Sequence, residues 1–147
     1  MTKLLEALEN AKQNFKTLEK SGKNNFFKTQ NGVHTYSTLE DIFKSCKDAL
    51  YDNKLSLHYT LSFEDNIQYL ITTLTHIDTN ESIHSKSAIG TVQSTPQQIG
   101  SGITYFRRYH IQAMLNLEAD FDDDGNIASN VKQPTQQPIK QTTKGGL

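Results

Sequence analysis

The sequence predicts one α+β domain: a three-stranded antiparallel meander packed with helices, preceded by an amphipathic N-terminal helix and followed by a disordered tail. Three observations carry this. Between residues 55 and 89 three β-type runs, the first alternating strictly between apolar and polar residues, are separated by short turn sequences. On either side of that block, apolar residues recur at spacings of three and four, the period of a helix with one buried face. Beyond residue 126 the chain turns to Gln, Thr, Pro, Lys and Gly, which cannot bury enough apolar surface to order themselves. The 147 residues suit a single domain, read here as residues 1–126, with 127–147 as the tail.

The elements follow in order. Leu4, Leu8, Ala11, Phe15 and Leu18 form the stripe of a helix over residues 3–20, with Ser21-Gly22 as its stop. That stripe fits its own domain or a neighbouring subunit equally well. Asn31-Gly32, between Phe26-Phe27-Lys28-Thr29 and Val33-His34-Thr35-Tyr36, signals a short hairpin. A second helix starts at the capping box Ser37-Thr38-Leu39-Glu40, buries Leu39, Ile42, Phe43, Cys46 and Leu50, and stops at a left-handed Asn53. Leu55, Leu57, Tyr59, Leu61 and Phe63 alternate with polar residues as a strand with one wet face. Ile67–Ile77 is apolar on both faces and so central, and Ser82–Ile89 is a more polar edge strand. Thr95-Pro96-Gln97-Gln98 opens a long helix that runs to about Leu117, with Thr95 as cap, Pro96 at the first position and Gln98 closing the box.

Composition excludes several classes. One cysteine, Cys46, permits no internal disulfide framework and reads as a small apolar filler on a helix face. No apolar run approaches the roughly 20 residues that span a bilayer, so no membrane association and a cytoplasmic location are expected. The five histidines show no metal-ligand spacing, and the sequence holds neither a phosphate-binding glycine loop nor a recognisable nucleophile–base arrangement. No catalytic residue, no metal site and no enzymatic activity are expected. The formal charge is −1, and residues 1–111 hold 12 Lys/Arg against 11 Asp/Glu. Any polyanion must therefore be met by a local groove.

The long helix is the candidate for such a groove. At 100° per residue, Ile99, Ile103, Phe106, Ala113, Met114 and Leu117 gather on one side, to pack on the sheet. Ser101, Tyr105, Arg108 and Gln112 gather on the other, flanked by Thr104 and Arg107. Guanidinium, hydroxyl and aromatic ring are the groups that hold a nucleic-acid strand. Gly100 and Gly102 each cost a helix up to about 1 kcal/mol relative to Ala. Two readings account for them: close approach of a phosphate to bare backbone near the positive helix end, or close packing of the helix on a neighbour.

The string Gly100-Ser101-Gly102-Ile103-Thr104-Tyr105-Phe106-Arg107-Arg108-Tyr109, with Leu115 and Asp122-Asp123-Asp124-Gly125-Asn126 after it, resembles the signature of the ERF (essential recombination function) family of phage single-strand annealing proteins. Upstream, Tyr36-Ser37-Thr38-Leu39-Glu40 resembles the family's Tyr-x-x-Leu-Glu helix opening. Residues 50–57, Thr72-Thr73-Leu74-Thr75-His76 and Pro96-Gln97-Gln98 agree in the same order, so the likeness spans roughly residues 26–126.

The resemblance implies a β-β-β-α core. It also implies binding of single-stranded DNA and ATP-independent annealing of complementary strands into duplex, in the recombination and repair of a phage or prophage. Homo-oligomeric rings or filaments are implied too. By position, Gln98, Gly100, Ser101, Thr104, Tyr105, Arg107, Arg108 and Tyr109 become DNA-contacting candidates, and Gln112 joins them from the projected stripe. The chain departs from the family in ending soon after the acidic cluster, with no room for a second folded domain.

Asp122, Asp123 and Asp124 could hold a divalent cation weakly, although the spacing is not that of a calcium-binding hand and a solvated acidic segment is the simpler reading. The tail is a place to recruit a host single-strand binding protein. A different class of reading stays open: an oligomeric protein-interaction scaffold, built on the first helix, with no annealing activity.

Overall fold

The computed structural model describes residues 1–29 and 32–118, with backbone only for 25–29. Helix α1 (Thr2–Lys12) leads to a hairpin of β1 (Gly22–Thr29) and β2 (Gly32–Tyr36). Helix α2 (Leu39–Asp52) follows, then the strands β3 (Leu55–Glu64), β4 (Ile67–His76) and β5 (Glu81–Thr91), and last α3 (Pro96–Leu115). The three strands form an antiparallel meander in the order β3-β4-β5, as the alternation predicts. The hairpin forms a separate two-stranded sheet. Its predicted Asn31-Gly32 turn, the acidic cluster and residues 127–147 lie wholly or partly outside the described residues.

The first helix is shorter than its periodicity predicts. It ends at Lys12, not near residue 20. The Lys16 N–H donates to the Ser45 carbonyl at 2.9 Å, and the Ser45 hydroxyl donates to the Lys16 carbonyl at 2.6 Å. Helix α2 thus takes both backbone groups that a longer α1 would have used. The apolar residues still reach the core: Leu18 is buried and Phe15 packs against it. Leu4 and Ala11 are fully buried, so the stripe serves its own domain. Cys46 is fully buried beside them, and burial pushes its thiol pKa up to about 11.

Helix α2 starts one residue later than predicted. Thr38 is its cap: the Asp41 N–H donates to Thr38 Oγ1 at 3.1 Å, and the Thr38 N–H donates back to Asp41 Oδ2 at 2.9 Å. Ser37 instead donates its hydroxyl to the Glu19 carbonyl at 2.7 Å. Asp41 Oδ2 also accepts from the Ser21 N–H and hydroxyl, at 3.0 and 2.7 Å. Burial pushes this carboxyl up, but the bonds from Ser21 and Thr38 outweigh it and hold Asp41 below its usual range. At the other end Asn53 is not left-handed (φ −101°); its amide donates to the Ala49 carbonyl, and Lys54 makes the turn at φ 60°.

Leu55, Leu57 and Tyr59 on β3, Leu70, Thr72 and Leu74 on β4, and Ile83 and Ser87 on β5 share one face of the sheet by register. The helices pack on that face. Leu61 and Phe63 continue the β3 row but are 58% and 56% exposed, because α3 lies over β4 and β5 and leaves this end of the edge strand β3 uncovered. His110 of α3 is pinned to this face: its Nδ1 lies 2.8 Å from Thr72 Oγ1 and its Nε2 2.8 Å from Ser87 Oγ.

The capping box of Thr95 and Gln98 and the position of Pro96 are as predicted, and the helix closes at a left-handed Asn116. The buried face of α3 is shifted from the projected one, although Met114 and Leu117 pack against the core and Ile99 lies over Gly90 of β5 as projected. Its second half buries His110, Ile111 and Leu115, whereas Ala113 is exposed and Phe106 half-buried. The first half instead rests Gly102 on Ile89 of β5. Toward its C-terminal half α3 packs against α2 as well as the sheet, so the inward face widens and one narrow projected stripe cannot describe it.

Candidate nucleic-acid interface

Between α3 and the start of α2 lies an open cavity of about 600 Å³, lined by Tyr36, Thr38, Leu39, Gly100, Ser101, Thr104, Tyr105 and Arg108. Its α3 wall has a local origin. The capping box and Pro96 fix the start of the helix, and positions 100, 101, 104, 105 and 108 then fall on adjacent ridges one turn apart. Gly100 is exposed, and a Cβ added there would meet nothing within 4 Å. Gly102 differs: its Cβ would stand 3.0 Å from the Ile89 carbonyl oxygen. The close-packing reading therefore holds for Gly102 and not for Gly100. Gly102 is bare so that α3 can pack on β5, and Gly100 is bare where the helix faces the cavity.

Arg108 is the cation of the site. Its guanidinium carbon lies 4.7 Å from the centre of the Tyr36 ring and 6.0 Å from that of Tyr109. Its Nη1 donates to the Ser37 carbonyl at 3.4 Å, and its buried Nε finds no partner among the described residues. Tyr105 and Tyr109 stand 48% and 47% exposed beside the cavity, with ring centres 4.6 Å apart. The Thr104 hydroxyl donates to the Gly100 carbonyl at 3.3 Å and keeps its lone pairs. A guanidinium with spare donors, two hydroxyls and exposed rings can hold phosphate and stack a base.

Five of the sequence-predicted residues thus meet in one place: Gly100, Ser101, Thr104, Tyr105 and Arg108. The other four do not line the cavity. Gln98 is exposed, but its side chain is engaged as the cap, accepting from the Thr95 N–H at 2.9 Å. Arg107 turns to the sheet, its guanidinium carbon 4.2 Å from the centre of the Tyr59 ring. Burial pushes the Tyr59 hydroxyl pKa up, and the neighbouring Arg107 offsets that only in part. Tyr109 packs on Tyr105, and Gln112 is half-buried a turn further on.

Projection misses the opposite wall, because it sees one helix at a time. Tyr36, Thr38 and Leu39 belong to the string that carries the family-like helix opening, the one signal in the sequence able to place Tyr36 here. Among the described residues no group of His, Cys, Asp and Glu could hold a metal ion. None of their helices is long and apolar enough to cross a membrane. The proposed cation ligands Asp122, Asp123 and Asp124 lie outside the described residues.

Compared with known proteins, the chain matches the family model described as the ERF superfamily over residues 4–145. No curated protein and no solved structure matches it significantly.

Proposed function

The chain belongs to the ERF superfamily, the single-strand annealing proteins of recombination, and from that premise we propose that the cavity on α3 is its site for single-stranded DNA. The observation that carries this is the convergence of Gly100, Ser101, Thr104, Tyr105 and Arg108 on one open cavity. In this reading Arg108 holds a phosphate, the Ser101 hydroxyl donates to its oxygens, the Thr104 hydroxyl can join it only by leaving the Gly100 carbonyl, and Tyr105 stacks on a base. Annealing makes and breaks no covalent bond, so the protein needs no ATP and acts by holding strands in register.

Charge sets the next condition. Residues 1–111 are nearly neutral, and a single cavity offers one guanidinium, so one subunit grips a strand weakly. An oligomer that repeats the cavity along a strand converts weak contacts into avidity. Ring and filament both satisfy this. The tail (residues 127–147) is assigned the recruitment of a partner such as a host single-strand binding protein. The acidic segment is assigned at most a loose divalent cation.

Titration of fluorescently labelled oligonucleotides tests the site. Arg108→Ala should weaken binding about equally for all sequences, because phosphate contacts carry little sequence information. It should also lower the salt slope by about 0.7 for each phosphate that the variant no longer neutralises. Arg107→Ala, on the sheet side of the helix, should cost less. If the wild-type protein neither binds oligonucleotides nor speeds their annealing, the proposal fails and an interaction scaffold takes its place.

A further inference from the structure

We infer that the β1–β2 hairpin is part of this site: Tyr36, seated on Gly22, is a positioning residue that holds the Arg108 guanidinium at the cavity. The inference rests on the reading of the cavity as the DNA site. It adds a second wall, far from α3 in sequence, and assigns it a task that does not require contact with DNA.

The geometry is a stack. Gly22 and Tyr36 are paired across the hairpin. A Cβ on Gly22 would lie 2.6 Å from both Cε2 and Cζ of the Tyr36 ring, so the ring rests directly on bare glycine backbone. Above it sits Arg108, 4.7 Å from the ring centre and tied through Nη1 to the Ser37 carbonyl. Ser37 is itself buried and fastened to the Glu19 carbonyl at 2.7 Å. The aromatic ring and the carbonyl orient the guanidinium, yet the carbonyl takes only one of its five N–H donors.

A free arginine on a helix surface must give up rotamer freedom when it grips a phosphate. Arg108 has already given up much of it. Tyr36 therefore raises affinity by fixing the arginine in advance, and the glycine at position 22 is what lets the ring lie in place.

Five variants and two readouts test this on the full chain. With fluorescein-labelled oligo(dT), Tyr36→Ala should weaken binding by roughly three- to tenfold, in line with removal of a partly desolvated cation–π interaction. Tyr36→Phe should keep wild-type affinity. In an Arg108→Ala background, Tyr36→Ala should add nothing, because both act through one interaction. Gly22→Ala should behave like Tyr36→Ala, since its methyl group displaces the ring.

The second readout is the Arg108 Nε–Hε resonance by NMR without DNA. It should be sharp in the wild type and in Tyr36→Phe, and broadened or absent in Tyr36→Ala. Additive effects, or unchanged affinity in a folded Tyr36→Ala, would overturn the positioning role. If the wild type binds no oligo(dT) while the resonance behaves as expected, Tyr36 does hold Arg108 and it is the DNA reading that has failed.

Discussion

His110 shows how one buried residue couples the domain to pH. Its two ring nitrogens lie 2.8 Å from the hydroxyls of Thr72 and Ser87, so the neutral ring is satisfied by one donated and one accepted bond. Burial lowers its pKa below the ordinary value of 6.5. The unfolded chain therefore takes up a proton here at a higher pH than the native protein does. The stability this residue contributes is complete above about pH 6.5 and is lost as pH falls through the lowered native value. Asp41 acts in a separate window. Its native pKa lies below 3.8, so its contribution is complete above that value and fades only at lower pH. Thermal unfolding should thus show a melting temperature that falls between pH 7.5 and 5.5, with the slope reduced in His110→Gln. That variant should also be less stable at pH 7.5, by about 1–3 kcal/mol, because the Thr72 and Ser87 hydroxyls lose partners. An unchanged pH slope would mean that His110 binds its proton equally well in the native and unfolded chains.

At the scale of elements, α3 has two glycines that chemistry treats alike and packing does not. Gly100→Ala places a methyl group in open space on a helix, so it should stabilise by roughly 0.5–1 kcal/mol and raise the melting temperature by a few degrees. Gly102→Ala offers the same gain in propensity, but its methyl group presses on Ile89 at 3.0 Å from the carbonyl oxygen, so that gain should be cancelled or reversed. If Gly100 is bare for DNA, Gly100→Ala should also bind oligonucleotides less well while melting higher. Stabilisation with unchanged affinity would remove Gly100 from the site.

The same helix marks the limit of sequence reading. Its cap, its start and the five residues that line the cavity were legible because each depends on neighbours within a few positions. Its buried residues were not, because His110, Ile111 and Leu115 join a core to which α1, α2 and the sheet all contribute. The end of α1 failed for a like reason. Ser45, 29 positions from Lys16, decides where that helix stops. Tyr36 lay beyond projection altogether, since the packing that brings it to Arg108 spans about 70 residues.

For the whole molecule, two boundaries compete. The composition of residues 127–147, poor in large apolar side chains, puts the end of the folded domain at residue 126. The family match, however, continues to residue 145. The two differ over Ile127, Val131, Ile139 and Leu147, the large apolar residues of the last 21 positions. Burying even one such side chain contributes about 1.5–3 kcal/mol, which for a domain of this size is a shift of roughly 4–10 °C. Deleting 127–147 should therefore leave the melting temperature within about 2 °C of the full chain if the domain ends at 126, and lower it well beyond that if the tail packs. Oligonucleotide binding measured on the same truncated protein separates the tail's roles. Unchanged affinity places the DNA site wholly within the folded body. Weaker binding at unchanged stability would mean that Lys132, Lys140 and Lys144 supply cations that the near-neutral body lacks.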